Sequence, residues 1–455
     1  MKKIMPISIQ KIVESVLFRY EIREASLAKE LLEKSYPFTE TKCAIEYQHR
    51  KLLQFLSIIK ADVPFYATLL AQYAIKSISD LKNLPLLDKS IIRANFDRII
   101  SRRKSILNSF QFNTGGSTGE PLQFYASRLC GFIDRYHQMF LFELNGYEHG
   151  QRIVAFDGTV IPEKLRDKNI FWQQKSKNEI PYGSYHFSSH YFSKDTENHY
   201  IEMFMKLKPS YLRGYPSFIS LFAEALSRNN IEPSFVKGVH LTAENIYANQ
   251  QEFISRVFRC PIYKQYGHSE MAVFGFALPN TEEYFCSPYY GITEIVDENG
   301  QNVQIGASGE IVVTGFHNFI MPFVRYRTGD HAVFGGCSNG YTVLKQIQGR
   351  SQDFLIDKNG LKVPVTGTIF GQHFHAFSKI LKWQLIQKEI GKVEVLIVPS
   401  KDYIKEDEQE ILAKLSEGER FTPKLSYVNN VKLSHRGKMS FVINHLIDKD
   451  SSVMN

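Results

Sequence analysis

A chain of 455 residues leaves room for two or three domains with a substantial core. Hydrophobic residues make up 43% and charged residues 22%, which is ordinary globular usage and excludes a low-complexity chain. The formal charge of +8 is mild and is not gathered into one basic arm, so a nucleic-acid binder is not expected.

The five cysteines, Cys43, Cys130, Cys260, Cys286 and Cys337, form no CxxC pair and are odd in number. A disulfide framework is therefore not expected, and a reducing, cytoplasmic setting is. The opening segment MKKIMPISIQKIVESVLFRYEI has a basic front, but Lys11 and Glu14 interrupt its apolar run, so it does not read as a signal peptide. No stretch of about 18 apolar residues predicts a membrane span.

Residues 1–110 read mostly as helix. EYQHRKLLQFLSIIKADVPFYATLLAQY has apolar residues at three- and four-residue spacing, punctuated by Pro64, and Asp88 stands as an N-cap before KSIIRANF. From about residue 150 strand and helix alternate: RIVAFDG, the helix SFISLFAEALSRNN behind Pro216, the strand VKGVHLTAE, the helix NQQEFISRVF and the strand PIYKQYG. That alternation argues for α/β layers with ligand loops at the strand ends. Residues 284–347 switch to short β-branched runs separated by Asn-Gly and Gly-Gly, which predicts antiparallel hairpins. A smaller α+β unit follows, with a hairpin in KWQLIQKEIGKVEVLIVPS, a helix in EDEQEILAKLSEG and a strand in KLSYVNN. The expected division is 1–349 and 350–455.

The stretch TGGSTGEP gathers Thr114, Gly115, Gly116, Ser117, Thr118 and Gly119. Its glycines let backbone N–H groups turn toward one ligand and its hydroxyls add donors, which suits phosphate oxygens; alone, the same stretch also reads as a linker. No Lys-Ser/Thr follows at Walker spacing. In YKQYGHSEM, Tyr266 offers a flat ring, Ser269 a hydroxyl and Glu270 a hard oxygen ligand suited to Mg²⁺. VRYRTGD places Asp330 in a predicted turn, where it would accept hydrogen bonds from a ribose diol; GRSQD offers Arg350 and HRGK offers Lys438. Taken singly, these residues read as a strand end, a cap and solvated cations.

In order along the chain, TGGSTGEP, YGHSE, YRTGD, GRSQD and HRGK resemble the adenylate-forming superfamily of acyl-CoA synthetases, luciferases and nonribosomal adenylation domains. VPFYATLL, LKNLPLLDKSIIRANF and YLRGYPSFISLFAEAL are similar to its phenylacetate–coenzyme A ligase branch, including CapK-type members of capsular-polysaccharide systems. The resemblance runs over residues 45–445. It implies an α/β fold: a large N-terminal adenylate-forming domain of layered sheets and helices with a distorted β-barrel-like part, and a small mobile α+β C-terminal domain. It also implies a two-step reaction in which ATP activates a carboxylic acid as an acyl-adenylate, releasing pyrophosphate, and the acyl group passes to coenzyme A or an amine.

The resemblance further implies roles for individual residues. The Thr114–Gly119 loop and Ser269 would bind phosphate, and Ala243, Glu244, Tyr266 and Gly267 the nucleotide base. Asp330 with Arg350 would hold the ribose, Glu270 the Mg²⁺, and Lys438 would bridge carboxylate and α-phosphate. The hinge would fall at Gln352, where relatives carry Asp or Lys, with Asp353 in reserve. An acyl pocket is expected between RIVAFDG, the Ile180–Phe192 segment and VHLTAE, for an aromatic or a polar acid, although the middle segment also reads as a surface loop. Coenzyme A is an open acceptor and a homodimer an open assembly. Zinc at Cys260, Cys286, Cys337 and His268 is not expected, because their spacing shows no ligand pairs. The alternative function is a non-catalytic nucleotide-binding or assembly protein that kept the fold.

Overall fold

The computed structural model describes residues 7–35, 41–105, 108–113, 122–246, 248–350, 354–364, 376, 379–416, 420–433, 439–440 and 442–446. The chain begins with five helices, α1 (Ile7–Ser35), α2 (Thr41–Asp62), α3 (Pro64–Gln72), α4 (Lys89–Ala94) and α5 (Phe96–Ile99). Pro64 opens α3 at its first turn, where no N–H is needed, and bends the chain away from α2 by 119°. Asp88 caps α4 as its position predicts, accepting the Ile91 N–H at 2.8 Å. Among the described residues no single helix is long and apolar enough to cross a membrane; the bent pair α2–α3 passes that test only jointly, and its Leu52, Phe55, Ile59 and Tyr66 are buried in the core.

A hairpin of β1 (Ser109–Asn113) and β2 (Gln123–Ser127) closes on the pair Asn113↔Gln123. It leads into α6 (Arg128–Leu144), whose N-cap Ser127 accepts the Cys130 N–H. The α/β part then runs through β3 (Ile153–Asp157), α7 (Glu163–Arg166), β4 (Trp172–Gln174), β5 (Tyr185–Ser188), α8 (Glu197–Leu207), β6 (Tyr211–Gly214), α9 (Pro216–Arg228), β7 (Gly238–Thr242), α10 (Ala248–Phe258) and β8 (Ile262–Gly267). Strands β8-β7-β6-β3-β5 are parallel, and most of their residues are buried because helices cover both faces. Val154, Leu212, Val239 and Ile262 point to the face covered by α8, α9 and α10. On the other face His240 is sandwiched between Phe142 of α6, 3.9 Å between ring centroids, and Tyr263, 5.2 Å away.

The predicted hairpin region is present as β9 (Phe274–Ala277), β10 (Tyr284–Cys286), β11 (Gly291–Val296), β12 (Ser308–Gly315), β13 (Tyr326–Ser338) and β14 (Tyr341–Arg350). These strands do not make a separate sheet. β9 pairs antiparallel with β8, so β11-β12-β13-β14-β10-β9-β8-β7-β6-β3-β5-β4 is one continuous twelve-stranded sheet. Buried Arg325 ties this region to the helical lead-in, pairing with Glu294 at 3.1 Å and donating to the Lys82, Leu84 and Gly300 carbonyls.

The remaining chain holds β15 (Phe354–Ile356), β16 (Lys362–Pro364), β17 (Ile380–Glu389), β18 (Lys392–Pro399), α11 (Lys405–Ser416), β19 (Thr422–Tyr427) and β20 (Val442–Asn444). The hairpin, helix and strand predicted here are all found, and the four-stranded sheet β19-β18-β17-β20 has its own apolar cluster with Ile411 and Leu415 of α11. This is the α/β layering with a smaller α+β unit that the sequence predicts.

Candidate active site

The expected ligand-binding residues collect at the C-terminal ends of β7 and β8, where parallel strands deliver their loops. Ala243, directly after β7, has a left-handed backbone with φ of 73°, a conformation that an L-residue adopts only when its surroundings fix it. Glu244 follows and accepts the Ser217 N–H at the start of α9, 3.1 Å away. A carboxylate there satisfies an N–H that the first helical turn leaves free.

At the end of β8 the Tyr266 hydroxyl donates to Asp330 Oδ2 at 2.8 Å. Two residues far apart in sequence thus meet, as the nucleotide reading requires. Burial, reinforced by the Asp330 charge, pushes the Tyr266 phenol well above its ordinary range, so it stays a donor. Asp330 does not lie in the predicted turn. It is a strand residue of β13, in register with Arg350 of β14, because Gly329 at φ 77° absorbs the kink and lets the strand continue. Gly267 is exposed at the β8 terminus and Ser269 is half-buried beyond it.

Glu270 is buried in the same loop. Its Oε1 accepts the Tyr326 hydroxyl at 2.8 Å, and its Oε2 lies 3.3 Å from His268 Nδ1, an ion-pair distance without hydrogen-bond alignment. Burial alone would raise this carboxyl. The His268 charge and the donated hydrogen bonds outweigh it and hold the group down at about 2. His268 and Tyr326 therefore join the candidate site through Glu270. The sequence carried a signal for His268, a possible cation two residues before the acid; nothing in it pointed to Tyr326, which arrives from β13.

The small C-terminal unit reaches the same place. The Met439 N–H donates to Glu244 Oε1 at 2.9 Å, so one carboxylate is shared between α9 and the residue that follows Lys438. A second approach brings Lys382 of β17 within electrostatic reach of Glu224 of α9. Burial pushes the Glu224 carboxyl up to about 7, moderated first by Arg228 at 3.7 Å and then by Lys382, and pushes the Lys382 ammonium down to about 8, moderated by Glu224. Lys382 also donates to Asn430 at 2.9 Å.

Thr114, Gly115, Gly116, Ser117, Thr118, Gly119, Gln352, Asp353 and Lys438 lie outside the described residues. The anchors of the glycine-rich stretch are described: the β1–β2 hairpin holds both of its ends. Among the described residues no three His, Cys, Asp or Glu side chains converge as a metal-binding group. Glu270, a buried carboxylate kept ionised, has the hard oxygen donor that a Mg²⁺ would take as a protein ligand.

On the α6 side of the same strand ends lies a second set of polar residues. Tyr182 donates to Asp134 Oδ2 at 2.8 Å and Tyr290 to Oδ1 at 3.4 Å. Arg135 donates to the Ile180 carbonyl at 3.1 Å, and the Arg213 guanidinium lies over the Tyr182 ring, 5.4 Å from its centroid. The Ile180–Phe192 segment is thereby fastened to α6, and Glu179 fastens its start to the Ile153 N–H of β3 at 3.0 Å. It packs against the start of β3 and continues into β5, a strand of the sheet, rather than forming a loose loop. Gln138 of α6 donates to Gln265 at 2.7 Å, and Thr242 donates to the same oxygen at 3.3 Å.

Residues 355–445 match the CapK C-terminal domain family. Over its whole length the chain is similar to Protein CapK of Staphylococcus aureus, 27% identical over 470 residues, covering 97% of this chain and 98% of that one. Among solved structures it resembles 2-hydroxyisobutyryl-CoA ligase in the postadenylation state with 2-HIB-AMP, at 16% identity and a TM-score of 0.67, covering 90% of this chain and 91% of the other. The same ligase in its thioesterification state with CoA gives a TM-score of 0.56 at 17% identity, covering 92% and 94%. An acyl acid amido synthetase, GH3.15, in complex with 2,4-DB gives 0.59 at 14% identity, covering 95% and 96%. The chain has the fold of the adenylate-forming ligases, and its sequence resembles the CapK-type branch as the motifs imply.

Proposed function

We propose that this chain is an AMP-forming ligase that activates a carboxylic acid with ATP as an acyl-adenylate and transfers the acyl group to coenzyme A or an amine. The observation that carries the reading is the meeting of Tyr266, Asp330, Glu270 and Glu244 at one edge of the sheet, with the residue after Lys438 hydrogen-bonded to that edge. A non-catalytic nucleotide binder would need the first contacts; it would have no use for a second unit docked there through Met439.

In the first half-reaction an acid oxygen attacks the α-phosphorus, the bond to the β-bridging oxygen breaks and pyrophosphate leaves. The Thr114–Gly119 loop, held at its roots by the β1–β2 hairpin, would aim donors at the leaving group with Ser269. Asp330 would accept the ribose hydroxyls beside Arg350, while the Tyr266 ring, anchored by its hydroxyl, presents a face to adenine next to Ala243 and Gly267. A bound Mg²⁺ would offset charge on the phosphate oxygens, with Glu270 as its protein ligand. Lys438 would neutralise the acid and α-phosphate oxygens as charge develops. In the second half-reaction the unit carrying Lys438 swings away about the 349/350 division at Gln352 or Asp353, freeing space for the acceptor. The docking of Met439 on Glu244 and the higher similarity to a postadenylation state both support a first-half arrangement here.

A setting in capsular-polysaccharide or O-antigen biosynthesis is part of the same proposal, supported by the likeness to CapK. The test is acid-dependent exchange of labelled pyrophosphate into ATP, with products resolved as AMP or ADP. Lys438→Ala should lower exchange by about 10²-fold or more while ATP still binds. Exchange at the wild-type rate in that variant, or ADP as product, would remove the reading.

A further inference from the structure

We infer that the acid activated here is a small hydroxylated one, held by Arg213 and its polar neighbours rather than by an apolar pocket. This rests on the adenylation reading and names its substrate class.

The two faces of the parallel strands differ. Strand pairing aligns His186, Ala155, Arg213, His240 and Tyr263 in one row across five strands, and Asp157 lies beyond Ala155 on the same face, as Thr242 and Gln265 do beyond His240 and Tyr263. His240 and Gln265 both contact α6, so this whole set faces that helix. The opposite face carries Val154, Leu212, Val239 and Ile262, all buried beneath α8–α10. The hydrophilic set is thus confined to the α6 side and reaches the strand ends at Thr242 and Gln265. Each of these directly precedes a nucleotide-site candidate, Ala243 and Tyr266 respectively. An acyl chain leaving the α-phosphate on the α6 side would meet this surface.

The surface keeps a donor to spare in Arg213, and Asp157, which accepts three hydrogen bonds, retains capacity for one more. Arg213 is half-buried, its guanidinium stacked on Tyr182, and among the described residues no carboxylate closes to ion-pair distance on it. The carboxylate whose charge it feels, Asp134, has both oxygens taken by tyrosine hydroxyls. Asp157, half-buried, spends one oxygen on His186 at 2.7 Å and the other on Thr159. A fatty or aromatic chain laid here would strip water from Arg213, Asp157 and Gln265 and return no hydrogen bonds. Hydroxyl groups on the acid would supply both partners, accepting from Arg213 and donating to Asp157.

The experiment measures binding of four non-hydrolysable acyl-sulfamoyl adenosines to the full-length protein by calorimetry. Glyceroyl and gluconoyl analogues are compared with butanoyl and phenylacetyl ones. At least one hydroxylated analogue should bind about 10-fold more tightly than either apolar analogue. Arg213→Met should shrink that preference to about 3-fold or less while the apolar analogues bind as before. Gln138→Leu, which disturbs the same face from α6, should narrow it in the same direction should the first variant fail to fold. An apolar analogue binding as tightly as the hydroxylated ones would overturn the substrate class and leave adenylation standing. An unchanged preference in both folded variants would overturn the assignment to this face. Binding of none of the four would bring down the adenylation reading and this inference with it.

Discussion

Two carboxylates flank the end of β8, and the protein treats them in opposite ways. Glu270, on the nucleotide side, is held down at about 2; Asp134, on the α6 side, is raised above the usual carboxylate range. Burial is the leading cause at both and pushes both upward. The outcome is decided by the nearest cation. Glu270 has His268 at 3.3 Å, whereas Asp134 feels Arg213 only through a guanidinium spread over the Tyr182 ring. Hydroxyl donors are present at both sites, Tyr326 on one and Tyr182 with Tyr290 on the other, so neutral hydrogen bonds do not explain the difference. An anion at Glu270 suits a metal cation. On the other side both Asp134 oxygens are taken by tyrosine hydroxyls, which leaves Arg213 without a direct carboxylate partner among the described residues.

The comparison breaks most visibly at Glu270. Glu270→Gln keeps the shape and removes the anion, and pyrophosphate exchange should fall by about 10²–10³-fold; exchange within a few-fold of wild type would separate this carboxylate from the chemistry. His268→Gln tests the cause of the difference instead. A carboxyl with a depressed folded pKa contributes stability that is fully present above its unfolded value, near 4.5, and is lost as pH falls through about 2. Without His268, Glu270 moves back toward its ordinary value and that contribution shrinks. The variant should be less stable by ~1–3 kcal/mol at pH 6 and should converge with wild type near pH 2. Urea unfolding along a pH series reads this directly, and a deficit that does not narrow toward pH 2 would show that His268 acts through packing.

The elements of this site were more legible than its convergence. Asp88 capping α4, Pro216 opening α9 and the Asn339-Gly340 turn between β13 and β14 follow from local backbone chemistry, which the sequence states residue by residue; Gly335-Gly336 instead lies inside β13, at an irregularity in its pairing with β14, and separates no strands. Helix α6 carries its own local signal in the apolar spacing of RLCGFIDRYHQMFLFEL. The single twelve-stranded sheet was not readable, because it depends on β9 pairing back on β8 at Tyr266↔Gly275, a tertiary choice that periodicity does not encode. Asp330 was misplaced for a related reason. A Gly-Asp pair suggests a turn, but here the glycine's positive φ serves a bulged strand whose partner, β14, fixes the continuation. The Tyr266–Asp330 contact spans 64 residues, and motif order alone suggested it.

The smallest expected effect sits on the α6 side, at Tyr182. Tyr182→Phe keeps the ring under Arg213 and deletes the hydroxyl that occupies Asp134 Oδ2. With that oxygen released, Asp134 is free to turn toward Arg213, and a partnered guanidinium has less to offer a substrate hydroxyl. Nothing on the nucleotide side changes, because Tyr266, Asp330 and Glu270 share no contact with Tyr182 among the described residues. The acid KM should rise by about 3- to 10-fold with kcat and the ATP KM unaltered, the signature of lost ground-state binding at one end of the site. An equal rise in the ATP KM would mean that the two carboxylates are coupled through β8, and the contrast between them would no longer divide the site into an acid end and a nucleotide end.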